Sequence, residues 1–398
     1  MSPSIKKKHS IYTRLAIDPS TQLGQLSGSS STPNLTPSPT ARYVTHARSL
    51  SIVPKALIAS VVESVESVGK VALSNRDLGD DMAKALSHAF KNLIVLDVDV
   101  SCNHLTDSGV TAVLSCLDPH FLQRLDLSSI RLKKRSVSSL SDLLLETSTL
   151  TALKAADCTL DDTSLRALSL SLLTSLCPFS GAPLHNCTLT VLNLHGNKIG
   201  DAGASALAAA LRTNGALAEL DLSCNSIRAR GGADLFRALN FTAVAVLDLA
   251  RNGMSEKEAR GSGPGGSSAA RAIAECLEDN SSLVHLSLAH CGLTGEQCGT
   301  IGEGMRGNRT LLGVHMEGNA RNVDARGFVE GGEREGGGRG EGGEEEGGER
   351  TLTEERVRHS HERIVGEGGG REGGGEGGGQ WQKRGGMCWI CHGWNETR

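Results

Sequence analysis

From residue 71 to residue 319 the apolar positions alternate between two rhythms. Short stretches such as LTVLNLHGNKI (189–199) and LAELDLSCNSI (217–227) place leucines two apart, the period of a half-buried strand. VAVLDLARNGM (244–254) and LVHLSLAHCGL (283–293) repeat the pattern. Between them lie segments with helical spacing. In DAGASALAAALR (201–212), Ala204, Leu207 and Leu211 share one helix face, with Asp201 placed for an N-cap and Asn214 and Gly215 as the stop. Marking each copy by the residue at its Asn position gives Asn75, Asn103, Ile130, Cys158, Asn197, Asn225, Asn252, Cys291 and Asn319, at steps of 28, 27, 28, 39, 28, 27, 39 and 28. Both long steps exceed 28 by 11 residues, which reads as two loop insertions, 177–187 and 260–270, in an otherwise unbroken array.

Each copy has to hide its leucines. Leu192 and Leu194 fall on one face of a short strand, with Asn193 and His195 on the other. Asn197 follows at the bend, where an amide both donates to and accepts from backbone groups that a turning chain leaves unpaired; stacked copies would form a ladder of such bonds. One strand and one helix cannot bury a core, but nine pairs stacked side by side can. The motif L-x-x-L-x-L-x-x-N/C-x-L at a period near 28 therefore predicts an α/β leucine-rich repeat solenoid, a horseshoe with parallel strands on its concave side and helices on its convex side. Over roughly 71–320 the period and motif resemble the ribonuclease-inhibitor-like subfamily, which includes cytosolic ribonuclease inhibitor and the Ran GTPase-activating protein. That resemblance implies the scaffold and leaves the partner unspecified.

The flanks have a different composition. Residues 1–54 are rich in Ser, Thr and Pro, with Lys6, Lys7, Lys8, Arg14, Arg42 and Arg48 against one acid, Asp18, and read as a disordered basic tail. Thr32-Pro33, Thr36-Pro37 and Ser38-Pro39 are candidate proline-directed phosphorylation sites. Over 55–70, Leu57, Val61, Val65 and Val68 recur at helical spacing and predict a helix capping the N-terminal end of a repeat domain at 71–325. Residues 326–379 form a Gly, Glu and Arg tract expected to be a disordered tether.

The terminal segment 380–398 holds every tryptophan, Trp381, Trp389 and Trp394, around a Cys388-x-x-Cys391-His392 cluster. The fragments LLGVHMEGN, VDARGFV and CWICHGW resemble a C-terminal extension of algal and protist leucine-rich repeat proteins, with His392 in place of the usual acid. Two readings stay open. In one, the tryptophans are apolar anchors that cap the last repeat or enter a partner. In the other, Cys388 and Cys391 join His359 and His361, or His392, around a structural zinc. No other cofactor is implied. A c-type haem would fit Cys-x-x-Cys-His but needs an export route for which the sequence gives no signal.

A net charge of −4 sets no bias toward nucleic acid, and no apolar run reaches membrane-spanning length. Among the eleven cysteines, Cys102, Cys158, Cys224 and Cys291 recur at or beside the repeat's Asn position, as packed thiols would. With no apolar signal segment ahead of the array, the chain reads as cytoplasmic. The acid-poor start also suits an organelle transit peptide, and cilium-associated scaffolding is compatible with the repeats.

No P-loop, H-E-x-x-H or G-x-S-x-G motif occurs, so the chain reads as a non-enzymatic scaffold. His195 and Asp221 would lie on neighbouring strands, but Ser223 and Ser101 read as small surface residues rather than nucleophiles. The strand residues turned away from the helices form two columns. The first is Asp99, Asp126, Lys154, Asn193, Asp221, Asp248, Ser287 and His315; the second is Ser101, Ser128, Ala156, His195, Ser223, Ala250, Ala289 and Glu317. Four aspartates give this wall an acidic cast that suits a protein partner with a basic segment, although Asp is also a common filler of this motif. The alternative is a GTPase activator, with Asn75 and Arg76 against a small GTPase near the first repeats.

Overall fold

The computed structural model describes residues 37–172, 188–255 and 269–323. Within them the chain alternates strand and helix after two leading helices. These helices are α1 (Pro39–Ser49) and α2 (Ala56–Val68). Then follow β1 (Lys70–Ala72), α3 (Asp80–Phe90), β2 (Asp97–Asp99), α4 (Asp107–Leu114), β3 (Arg124–Asp126), α5 (Lys134–Glu146), β4 (Ala152–Lys154) and α6 (Asp162–Leu172). The second half comprises β5 (Val191–Asn193), α7 (Asp201–Leu211), β6 (Glu219–Asp221), α8 (Ala229–Leu239), β7 (Val246–Asp248), α9 (Ala269–Asp279), β8 (His285–Ser287), α10 (Gly295–Met305) and β9 (Gly313–His315). The nine strands form one parallel sheet in chain order, β1 to β9. Such an order follows from the repeat itself, since each helix returns the chain to the next position along the sheet.

Strand centres fix the register. Val71, Val98, Leu125, Leu153, Leu192, Leu220, Leu247, Leu286 and Val314 pair in sequence. The first eight point into a continuous core shared with the helices' apolar stripes, such as Leu207 and Leu211 of α7 and Leu235, Phe236 and Leu239 of α8.

The expected amide ladder is present. Asn197 Oδ1 accepts from Cys158 N (3.0 Å) and Leu160 N (2.9 Å), while its Nδ2 donates to Ala155 O and Leu194 O, both at 2.9 Å. Asn103, Asn225, Asn252 and Asn319 bridge their neighbouring repeats in the same way. Cys158 and Cys291 supply half of this chemistry: their Sγ atoms donate to Leu127 O and Leu249 O at 3.1 and 3.2 Å. Burial pushes both thiols up to about 12, which keeps the donating proton in place.

The first ladder position needs correcting. Cys102 and Asn75 are equivalent by their hydrogen bonds to the next strand, Cys102 N to Ser128 O and Asn75 N to Ser101 O. Arg76, not Asn75, therefore stands at the Asn position. The amide in LSNR falls two residues after Leu73, whereas Asn197 falls three after Leu194.

Three further features depart from expectation. Residues 39–49, assigned to the disordered tail by composition, form α1. Ser38 accepts from Ala41 N at its N-cap, Pro39 opens its first turn, and Tyr43 and Ala47 are buried. Tyr43 ties the two leading helices to the array, its hydroxyl donating to Met82 Sδ and accepting from Lys55 N, both at 3.0 Å. In α2 the buried stripe is Ile58, Val62 and Val65, one residue on from the expected face, and Leu57 and Val68 are exposed.

Asp201 does not cap its own helix. Gly200 is the N-cap of α7, and Asp201 Oδ1 accepts from Arg228 N (2.8 Å) and Gly231 N (2.9 Å) at the start of α8. Asp80 does the same for Thr106, Asp107 for Ser136, and Asp162 for Gly200 and Gly203. A carboxylate at the start of α3, α4, α6 and α7 thus accepts free N–H groups at the start of the following helix.

A second amide series closes the other ends of the helices. Asn214, Asn280 and Asn308 each accept from two loop N–H groups and donate to the preceding repeat.

Candidate partner-binding surface

The sheet face turned away from the helices is built from alternate strand residues, so its chemistry is set by register. Asp99, Asp126, Lys154, Asn193, Asp221, Asp248, Ser287 and His315 lie side by side as direct partners along the sheet. A third column, missed in the sequence, precedes it: Asp97, Arg124, Ala152, Val191, Glu219, Val246, His285 and Gly313. Its outward direction was legible from the same period of two, since Asp97 and Asp99 flank the buried Val98. Arg124 holds Asp97 through two hydrogen bonds, Nε to Oδ1 at 3.0 Å and Nη2 to Oδ2 at 2.7 Å.

The aspartates have a local task. Each directs Oδ1 to the backbone N–H two residues on: Ser101 to Asp99 at 3.0 Å, Ser128 to Asp126 at 2.9 Å, Ser223 to Asp221 at 2.9 Å and Ala250 to Asp248 at 2.8 Å. Asn193 does the same for His195 at 2.9 Å. At the end of a three-residue strand the chain turns, and a short side-chain acceptor satisfies the N–H released there. This is the physical reason for the L-D-L pattern, and it leaves Oδ2 of each carboxylate outside that bond.

The acids are not equally available. Asp99 and Asp126 are half-buried, while Asp221 is only 3% exposed. Asp248 is raised above the ordinary carboxylate range, first by burial and then by the charge of Asp221 beside it, with Ala250, Ser287 and His195 acting against both. The acidic wall is therefore graded, with its accessible charge toward β2 and β3.

Ser223 and Ser101 are not surface residues, being 5% and 7% exposed. Ser223 Oγ lies 2.5 Å from Asp221 Oδ1 and 2.7 Å from His195 Nδ1. A carboxylate only accepts, so the single hydroxyl proton points to Asp221 and His195 Nδ1 donates to Ser223 Oγ. The serine stands between acid and imidazole. A nucleophilic triad needs the imidazole in the middle.

Asn75 and Arg76 are exposed at the N-terminal end, with Asn75 in the left-handed region at φ 53°. Arg76 N donates to Asn103 Oδ1 at 3.0 Å, and Arg76 O accepts from Lys55 Nζ at 3.2 Å. Trp381, Trp389, Trp394, His359, His361, Cys388 and Cys391 lie outside the described residues, as do 177–187 and 260–268, while Ala269 and Ala270, expected in the second insertion, open α9. Among the described residues no group of three or more His, Cys, Asp or Glu is placed to hold a metal ion. No described helix is long and apolar enough to cross a membrane.

Parallel strands in chain order, a helix between consecutive strands and an asparagine ladder at the bends define a leucine-rich repeat solenoid. A family model described as Leucine Rich repeat matches residues 91–114, 185–208 and 279–296. Among curated proteins, NACHT, LRR and PYD domains-containing protein 14 of Mus musculus is 27% identical over 62% of this chain, and protein 13 of that series from Homo sapiens is 31% identical over 36%. Ribonuclease inhibitor of Sus scrofa is 26% identical over 63%. The matched regions span 26%, 13% and 58% of those three proteins.

Proposed function

We propose that this protein is a non-enzymatic interaction scaffold that receives a protein partner on the open, concave face of its sheet. The single observation supporting this reading is the uninterrupted polar column from Asp99 to His315, held at one register across the sheet. A partner segment laid across the strands would meet Asp99 and Asp126 first, then Lys154, Asn193, His195, Asp221 and Asp248. The acids at the accessible end favour a basic segment and an association weakened by salt. The face has few aromatic anchors, so affinity would rest on charge and on many small contacts. A cytoplasmic location belongs to the same proposal, supported by the thiol donors Cys158 and Cys291 in the ladder. No observation favours the GTPase-activator reading of Asn75 and Arg76.

The test is affinity capture with the full chain and with Asp99→Asn/Asp126→Asn, at low and moderate salt. Asparagine keeps the turn, as Asn193 shows, and removes only the charge. Partners retained several-fold less by the variant, and less at higher salt, support the proposal. Equal retention by both chains would overturn it.

A further inference from the structure

The two ends of the sheet are finished differently. At the N-terminal end α2 leads directly into β1 and Val71 is fully buried. Every strand centre from Val71 to Leu286 is at most 2% exposed. At the other end β9 pairs only with β8 among the described residues. Its centre, Val314, is only partly buried, all three of its residues are intermediate, and the adjoining Leu312 is 38% exposed. A terminal repeat has no following neighbour to cover its apolar side chains. The outer edge of β9 also carries backbone N–H and C=O groups with no adjacent strand among the described residues.

The chain itself supplies a cover of suitable chemistry. It continues from Val323 at this end, and its last segment, QWQKRGGMCWICHGWNETR (380–398), contains all three tryptophans together with Met387 and Ile390. Residues 324–379, 56 in number, join it covalently to this end. That keeps the segment near β9 at an effective concentration that a second copy or a separate partner would have to match in solution.

We infer that residues 380–398 dock in cis on the open edge at β9, with Trp381, Trp389 and Trp394 as apolar anchors over Leu312 and Val314. The segment completes the solenoid in the way α1 and α2 complete the opposite end.

The array contains no tryptophan, so intrinsic tryptophan fluorescence of the full chain reads the segment alone. The measurement compares emission maximum and acrylamide quenching in wild type and in Leu312→Glu, at a concentration where light scattering shows a monomer. Leu312 is already partly exposed, so the variant should fold, and far-UV circular dichroism checks that it does. Docking predicts wild-type emission blue-shifted from the denatured chain and protected from quencher, with both effects lost in Leu312→Glu at unchanged circular dichroism. Three outcomes would overturn the inference. They are solvent-like emission in wild type, a blue shift that Leu312→Glu leaves in place, and a blue shift that dilution abolishes, which would assign the contact to a second copy.

Discussion

The carboxylate of Asp201 occupies the space that a side chain at Gly231 would need. A Cβ built on Gly231 would stand 2.7 Å from Asp201 Oδ1 and 2.8 Å from its Cα, while Gly231 N donates to that oxygen at 2.9 Å. Gly203 stands in the same relation to Asp162, also with 2.7 Å from a built Cβ to Oδ1. The glycine is required by the neighbouring repeat's acid and not by its own backbone angles. Gly231→Ala should therefore destabilise the array by about 1–3 kcal/mol, the usual range for overpacking, and Asp201→Ala by about 1 kcal/mol through the lost cap. Denaturant midpoints of the two variants check both figures.

Asn197 serves two repeats at once, and its side chain is nearly inaccessible. Asn197→Ala leaves the N–H groups of Cys158 and Leu160 and the carbonyls of Ala155 and Leu194 without this partner. At about 1–3 kcal/mol for each buried group left unsatisfied, the loss should be at least about 2 kcal/mol. Hydrogen exchange should show it first as faster exchange at Cys158 and Leu160. Unchanged exchange there would refute the ladder's role.

The column of aspartates separates turn chemistry from charge. Asp126→Asn should melt close to wild type, because its amide oxygen can still accept from Ser128 N. Asp126→Ala should lose roughly 1 kcal/mol, the scale of a lost side-chain cap. At Asp248 the charge itself is unfavourable, since burial and Asp221 raise its pKa above the unfolded value. Asp248→Asn is expected to raise Tm at neutral pH, and differential scanning calorimetry would measure the rise.

Acid should weaken the fold through His285. This ring is buried, and its Nδ1 has no hydrogen-bond partner. Its pKa is lowered first by burial and then by the charge of His315. A folded-state pKa below the unfolded value near 6.5 means the folded state favours the neutral ring. That stability is present above the unfolded pKa and is lost as pH falls through the folded one. His46, stacked on His88 with centroids 3.6 Å apart, is lowered by burial and by the charge of His88, and acts in the same direction. Tm measured from pH 7.5 down to about pH 5 should fall, and His285→Leu should flatten the fall.

Where the chain alternates with a period of two, the buried strand centres and the outward residue after each are legible in the sequence, although the outward column from Asp97 to Gly313 was missed. The column from Asp99 to His315 has the register expected from the leucines, because a slip of one would have turned every leucine outward. The failures share a different cause. Helix α1 was hidden by composition, although Ser38 and Pro39 are themselves a helix start signal and Tyr43 and Ala47 are four apart. Asp201 was assigned to its own helix because capping rules describe one helix at a time, whereas here the acceptor belongs to the repeat before. Ser223 looked like a surface residue because a small side chain beside an outward Asp carries no sign of how closely the next strand covers it.

Both cross-repeat devices have gaps around the third repeat. Ile130 has no amide to offer Asn103 and Leu105, and on its other side Leu132 N donates to Cys158 O while Cys158 Sγ donates to Leu127 O. Lys134 opens α5 where α3, α4, α6 and α7 carry the carboxylate, and Asp161 instead accepts from Ser164 within its own repeat. The third and fourth repeats are thus joined by strand pairing, apolar packing and the Cys158 thiol, without a carboxylate at the start of α5. A solenoid is a set of couplings in series, so a load applied between its ends acts equally on all of them. Stretched between its termini, this molecule would part first at a junction that lacks these bonds, leaving shorter stacks rather than unravelling from either end.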